Sequence, residues 1–242
     1  MTDIRKIALV TGGNQGIGYE ICRQLGEAGV TVLVGARDET RGQDAARRLS
    51  EGGANAAFVR MDVTDPAQVR AAADAVSARY GRLDILVNNA GVLLPEQRPS
   101  DSGAELVREV YETNVFGVIR VTQAMLPLLR RSGDARIVNM SSSLGSLQLH
   151  GDPAFELGAF LMLGYNSSKT AVNAFTVLLA KELAEAGIKV NAADPGYCAT
   201  GMTGYAPTRS AAEGARTPVR LALLPQDGPS GGFFGDGGPL PW

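Results

Sequence analysis

Cysteine and histidine are almost absent from this chain of 242 residues: Cys22, Cys198 and His150 are all it has of either. With no Cys-x-x-Cys spacing and a single imidazole, neither a disulfide framework nor a metal site is expected. Charge of one sign is lacking too. The 23 Lys and Arg nearly balance the 25 Asp and Glu, a net of −2, so no nucleic acid and no strongly acidic or basic partner is implied. No apolar run is long enough to span a bilayer, and the start Met-Thr-Asp-Ile-Arg-Lys leads into a strand-like segment rather than the apolar core of a secretion signal. A cytoplasmic location, away from membranes, is the expectation. What the chain does have is 45% apolar residues, enough over this length for one domain with a substantial core.

Strand and helix patterns alternate along the whole chain. Apolar or β-branched runs at 7–10, 31–34, 57–61, 83–87, 136–140 and 188–191 predict six short strands. Between them, helical spacing puts Ile21, Leu25 and Ala28 on one face, then Ala45, Ala46 and Leu49, then Val69, Ala72, Ala73 and Val76 behind the start signal Asp65-Pro66. A long helical pattern covers about 104–131, with a bend or break expected near Pro127, and another covers 165–186. This alternation predicts a single α/β domain over 1–242, a doubly wound, Rossmann-like parallel sheet with helices on both faces. Such sheets bind ligands at the carboxyl ends of their strands. Here those ends read Thr11-Gly12, Ala36-Arg37, Asp62-Val63, Asn89-Ala90-Gly91, Ser141-Ser142-Ser143 and Asp194-Pro195-Gly196. Singly, each is an ordinary turn; together they would line one crevice.

Two stretches carry chemistry. Thr11-Gly12-Gly13-Asn14-Gln15-Gly16-Ile17-Gly18 joins the first strand to the first helix. A glycine turn there lets backbone N–H groups and a positive helix end meet a pyrophosphate without side chains in the way. The spacing of Gly12, Gly16 and Gly18 is not the usual G-x-G-x-x-G and lacks a P-loop ending, so a Gly-rich surface turn is the bland alternative. The second stretch is Tyr165-Asn166-Ser167-Ser168-Lys169. At i and i+4, Tyr165 and Lys169 share a helix face, and an ammonium near a phenol favours the phenolate, making a usable acid or base. Such a pair is common on surface helices; the nucleotide-type turn and the strand ending in serines give it its context.

In this order the chain resembles a single-domain short-chain dehydrogenase/reductase, through Thr11-Gly12-x-x-x-Gly16-x-Gly18, Asp62, Asn88-Asn89-Ala90-Gly91, Asn114, Ser142, Tyr165-x-x-x-Lys169 and Pro195-Gly196. Within that family it is most similar to the carbonyl reductases, through Gly12-Gly13-Asn14, Ala36-Arg37-Asp38-x-Thr40-Arg41-Gly42 and Gly232-Phe233-Phe234. The resemblance implies an oxidoreductase with a catalytic set of Asn114, Ser142, Tyr165 and Lys169. Tyr165 would protonate a carbonyl oxygen, Lys169 would hold the nicotinamide ribose and, with the cofactor's positive ring, keep Tyr165 acidic, and Ser142, with Ser141 and Ser143 as alternatives, would bind the carbonyl. Asn114 would hold a relay water; its bland alternative is a helix-interior Asn making a local backbone bond. It also implies cofactor contacts from Gly12, Asn14, Gln15, Gly16, Ile17 and Gly18, from Asp62 and Val63 at the adenine, from Asn89, Ala90 and Gly91 at the riboses, and from Pro195, Gly196 and Thr200 near the nicotinamide.

NADP(H) is the expected cofactor. Where an NAD-binding fold ends its second strand in an acid, this chain has Ala36, followed by Arg37 and, four residues on, Arg41, both able to meet a 2′-phosphate. Otherwise these arginines are solvated, with Asp38 capping the helix. The expected partner is a small-molecule carbonyl substrate in an apolar pocket of Leu93, Leu94, Leu147, Met202 and Tyr205, under a variable lid at 197–224. Each of those residues is also an ordinary core candidate, and His150 either faces the pocket or is a solvated loop histidine. A 3-oxoacyl-thioester reductase and a cofactor-binding regulator without chemistry are the rival functions. Ser142 and Tyr165 are 23 positions apart, more than in the family's tetrameric members, and the insert at 148–163 carries Leu149, Phe155, Phe160, Leu161 and Leu163, apolar enough to pack. Tetramers of the family commonly pair through the helices carrying Asn114 and Tyr165, and in some carbonyl reductases a longer insert blocks that contact; the insert here is shorter than theirs, and a monomer or homodimer is expected rather than a tetramer. Gly201, where many relatives are acidic, leaves the hydrogen bonding of the lid loop open.

Overall fold

The computed structural model describes residues 5–95 and 98–242; Met1 to Ile4, read above as part of the lead into the first strand, lie outside it. Strands β1 (Ile7–Thr11), β2 (Thr31–Ala36), β3 (Ala56–Arg60), β4 (Ile85–Asn88), β5 (Arg136–Met140), β6 (Lys189–Ala193), β7 (Phe233–Gly235) and β8 (Gly238–Pro239) form one sheet in the order β3-β2-β1-β4-β5-β6-β7-β8. All neighbours are parallel except β7 and β8. The strand order reverses between β1 and β4, which opens the crevice expected of a doubly wound sheet.

Side chains alternate across the strands, so each strand supplies both layers of the core. Leu9, Leu33, Leu86, Ile137 and Val190 point to one face, covered by α3 (Pro66–Tyr80), α5 (Val118–Arg130) and α7 (Leu163–Glu182). Ala8, Val10, Val32, Val34, Ile85, Val87 and Val138 point to the other, covered by α1 (Gly16–Glu27), α2 (Glu39–Glu51) and α9 (Arg216–Ala222). Local chemistry sets the helix ends: Asp65 caps α3 by accepting from Ala67 N and Gln68 N, Pro66 fills its first position, and Gly81 at φ 73° ends it.

Three sequence expectations change. The sheet has two more strands than six, because β7 and β8 are only three and two residues long and exist through pairing with β6 and with each other. The pattern at 104–131 is not broken at Pro127, which lies inside α5. Its irregularity is a π-turn at Glu112–Gly117, after α4 (Ala104–Tyr111), and Asn114 sits in it. The tyrosine helix starts two residues earlier than expected and ends at Glu182 rather than Ala186. Among the described residues, no helix is long and apolar enough to cross a membrane.

Candidate active site

The turn after β1 is shaped for close approach. Gly12 and Gly16 hold φ of 64° and 53°, a conformation that disfavours any side chain. A Cβ on Gly18 would lie 2.3 Å from Gly12 O and 2.5 Å from Asn89 Nδ2. Asn89 braces this turn from β4, its Nδ2 donating to Thr11 O at 2.8 Å, while the N–H groups of Asn89 and Ala90 both donate to the Thr11 hydroxyl at 2.9 Å. Helix α1 then begins behind Gln15 with no side-chain cap. Helices α2 and α3 are capped by Asp38 and Asp65, so α1 alone of these three keeps its first-turn amides for an anion. A dinucleotide pyrophosphate fits that cradle, and Asn14, Gln15 and Ile17 lie in the same turn. At the far wall, the Thr200 methyl carbon lies 3.6 Å from where a Gly16 Cβ would point, so the lid descends onto the turn.

Further along the rim stand the residues that follow β2 and β3. Asp62 Oδ1 accepts from Thr64 N at 2.9 Å and from Thr64 Oγ1 at 2.7 Å, which sets the carboxylate and the adjoining Val63. Arg37 is exposed at the end of β2. Arg41 instead turns back, its Nε 3.6 Å from Asp38 Oδ2, while Asp38 Oδ1 caps α2 through Arg41 N.

The three serines after β5 are separated by their partners. Ser141 is buried and donates to Asn173 Oδ1 on α7 at 2.5 Å. Ser143 bonds to Asp194. Ser142 is left for the crevice, where its hydroxyl hydrogen-bonds Tyr165 and accepts from Leu144 N at 3.2 Å. Lys169, one turn below Tyr165, lies with Nζ 5.5 Å from the centre of the phenol ring and donates to Met140 O at 2.9 Å. Asn114 is buried with its amide fully engaged: Nδ2 donates to Val92 O and Ser168 Oγ, and Oδ1 accepts from Val92 N. A Cβ on Gly91 would lie 3.3 Å from Asn114 Oδ1 and 3.7 Å from Lys169 Nζ, so Gly91 brings the β4 loop against both.

Burial dominates the electrostatics of the pair. Burial pushes the phenol up to about 12, the Asp194 carboxylate adds to that, and only the Ser142 bond opposes it. Burial also pushes Lys169 down to about 8, against the pull of Asp194. Sequence reasoning had passed over Asp194 as a turn residue; nothing short of its position beside α7 singles it out.

The insert is only partly packed. It contains α6 (Leu147–His150) and turns up to Met162. Phe155 stands edge-on to His150 at 5.5 Å, but Phe160, Leu161 and Leu163 remain exposed. His150 is not a solvated loop residue: its Nε2 lies 3.0 Å from Leu144 O, and it lines a groove of about 520 Å³ with Tyr111, Leu147, Leu161, Met162, Leu163 and Ala174. Of the expected pocket residues, only Leu147 belongs to that groove; Met202 and Tyr205 are exposed on the lid. Phe160 and Tyr197 meet at 5.8 Å, linking insert to lid. The lid loop satisfies itself despite Gly201, since Thr200 and Thr203 cap each other across the 3₁₀ turn Gly201–Thr203. Pro195 O accepts from Arg209 Nε at 2.9 Å, and Gly196 turns at φ 74°. Among the described residues there is no cluster that could hold a metal.

The family model for short chain dehydrogenase matches residues 6–210. The chain is 33% identical to (+)-neomenthol dehydrogenase of Capsicum annuum, covering 96% of each. That alignment runs over 304 positions, more than the 242 of this chain, so the relative carries segments inside the shared span that are missing here. The structure of salutaridine reductase from Papaver somniferum superposes with a TM-score of 0.81 at 35% identity, covering 96% of this chain and 100% of that one. The NADPH-bound carbonyl reductase from chicken fatty liver gives 0.86 at 30%, covering 98% and 99%.

Proposed function

The chain belongs to the short-chain dehydrogenase/reductase family, and from that premise we propose that it reduces a small, largely apolar ketone, aldehyde or quinone at a site made by Ser142, Tyr165, Lys169 and Asn114. It is an NADP(H)-dependent oxidoreductase of the carbonyl-reductase type, acting on small organic carbonyl or alcohol substrates. The observation that carries the finer statement is the Ser142–Tyr165 hydrogen bond with the Lys169 ammonium one turn below, at the rim between the uncapped α1 and the lid. NADPH, when bound, supplies the hydride. Ser142 would orient the carbonyl oxygen, and Tyr165 would give that oxygen its phenolic proton, leaving an alcohol. A phenol held up to about 12 is protonated at neutral pH, as a donor must be. Lys169 would hold the ribose hydroxyls, and Asn114, through Val92 and Ser168, would keep the β4 loop on α7. Asp62 and Val63 would meet the adenine, Ala90 and Gly91 the riboses, and Pro195, Gly196 and Thr200 the nicotinamide side.

An apolar substrate is favoured by Leu147, Phe160, Leu161, Tyr197, Met202 and Tyr205, which the insert and lid leave exposed; two of the relatives are a (+)-neomenthol dehydrogenase and a salutaridine reductase. A monomer or homodimer is supported by the insert, whose Leu161 and Met162 lie beside Tyr111 of α4 and Ala174 of α7 in one groove, and light scattering of a stable tetramer would count against it. Two buried free thiols, Cys22 and Cys198, accord with a reducing cytoplasm. The direct test follows nicotinamide absorbance with NADPH and NADH against ketones, quinones and 3-oxoacyl-thioesters. Turnover of the free apolar ketones with NADPH is expected; thioesters far outrunning them would replace the substrate assignment.

A further inference from the structure

Helix α7 holds three consecutive residues at the end of β5 with one row of side chains. Tyr165, Lys169 and Asn173 recur every fourth position, so they share a face of the helix. Lys169 Nζ donates to Met140 O at 2.9 Å, Asn173 Oδ1 accepts from the Ser141 hydroxyl at 2.5 Å, and Tyr165 bonds the Ser142 hydroxyl. Asn173, buried with 4% of its surface exposed, is the member of the row that the site described above does not use. Its other end is occupied as well: Nδ2 donates to Gly145 O at 3.3 Å, beside Thr170 Oγ1, which donates to the same carbonyl at 2.9 Å. A carbonyl can only accept, so the amide nitrogen must face Gly145 and the amide oxygen Ser141.

One amide therefore brackets the loop of Ser142. Ser141 precedes that serine, and Gly145 ends the 3₁₀ turn Ser143–Gly145 that Ser142 caps, its hydroxyl accepting from Leu144 N at 3.2 Å. The bracket keeps the turn from lifting off α7, and the helix keeps it from sinking further: a Cβ on Gly145 would lie 2.6 Å from Lys169 Cβ and 2.7 Å from Lys169 C. We propose that Asn173 is a positioning residue of the reaction, whose amide, bonded to Ser141 and Gly145, fixes the turn that sets the Ser142 hydroxyl against Tyr165 and the carbonyl oxygen. This rests on the carbonyl-orienting role given to Ser142 above. Without the amide, the Ser141 hydroxyl keeps its longer contact to Lys169 O at 3.4 Å and Gly145 O keeps Thr170. The turn then stays on the helix but is no longer held at both ends, and a shift of about 1 Å in an orienting group costs on the order of 10²-fold in rate.

The test is a double-mutant cycle read in single-turnover hydride transfer from NADPH to an apolar ketone, beside the NADPH dissociation constant from fluorescence titration. Asn173→Ala should slow transfer by roughly 10-fold or more with NADPH binding near wild type. In a Ser142→Ala background there is no hydroxyl left to place, and the same change should alter the rate by less than about 2-fold. Ser141→Ala opens the bracket at its other end, carries the same expectation in both backgrounds, and decides the question if Asn173→Ala does not fold. Equal proportional losses with and without Ser142 overturn the proposal and make Asn173 a scaffold of the whole site. A wild-type rate in Asn173→Ala overturns it too, as does a loss of NADPH affinity that matches the loss of rate. If Ser142→Ala transfers hydride at the wild-type rate, the role of Ser142 fails and Asn173 with it; if it slows transfer while Asn173→Ala does not, Asn173 alone fails.

Discussion

In the sequence Arg37 is the leading donor to a 2′-phosphate and Arg41 a second one; the structure separates the two further. Arg37 leaves the end of β2 exposed, and among the described residues it has no ion-pair partner. Arg41 has one: Asp38 lies 3.6 Å away, with side chains 70% and 47% exposed. A hydrogen bond to a charged group contributes about 1.5–3 kcal/mol, and exposure to solvent and salt lowers that to about 1–2 kcal/mol here. Arg37→Ala should therefore weaken NADPH by roughly 5- to 30-fold. Arg41 must divide its charge between Asp38 and the phosphate, so Arg41→Ala should cost less than about 1 kcal/mol, under roughly 5-fold. Asp38→Asn keeps an acceptor for Arg41 N, 3.0 Å away, and so keeps the helix cap, but removes the competing charge. It should tighten NADPH. NADH has no 2′-phosphate and should hardly respond to any of the three. Fluorescence titration of both cofactors measures this; an Arg37→Ala protein that weakens NADPH and NADH equally, or an Asp38→Asn protein that weakens NADPH, refutes the reasoning.

Tyr165→Phe should cut turnover by a factor on the order of 10² to 10⁴ while leaving the NADPH dissociation constant near wild type; a variant keeping a tenth of the rate, with chemistry limiting, would remove Tyr165 as the acid. Gly18→Ala forces a Cβ to within 2.3 Å of Gly12 O. It should cost about 1–3 kcal/mol in chemical denaturation and, unlike Arg37→Ala, weaken both cofactors together; unchanged affinity would mean that the turn does not approach the pyrophosphate. Burial holds Lys169 down to about 8 from its ordinary 10.5, so the unfolded chain binds more protons across that interval and this group's contribution to stability rises with pH from about 8 to 10.5. Lys169→Met should flatten that part of the unfolding free energy against pH, and an unaltered slope would show that the lysine is not desolvated.

Much of this was legible because a parallel sheet turns chain order into position. Once 7–10, 31–34 and 83–87 read as buried parallel strands, their following residues had to meet on one rim, and Gly12, Arg37 and Asn89 do so. What escaped depends on partners distant in sequence. The segment Phe233–Gly235 is too short for any periodicity and becomes a strand through Gly231 N to Val190 O and Ala192 N to Gly232 O. The π-turn uses the same residue types as an α-helix; it coincides with Asn114, whose amide is bonded on both sides to Val92, whereas the proline that seemed the natural breaker costs α5 only one internal bond.

The choice among Ser141, Ser142 and Ser143 shows what kind of information was missing. All three follow the same strand and have the same side chain, so spacing alone cannot rank them. Strand alternation sends Ser141 into the interface with α7, where its hydroxyl donates to Asn173 Oδ1. The 3₁₀ turn beginning at Ser143 then swings that residue towards β6 and Asp194. Ser142, between them, is the one whose hydroxyl meets Tyr165. Its neighbours are not spare copies of it: Ser141 anchors the loop to the helix that carries Tyr165 and Lys169, and Ser143 anchors it to the carboxylate that faces both. Replacing either neighbour should therefore disturb the site through the position of Ser142 rather than by removing a group that touches the carbonyl.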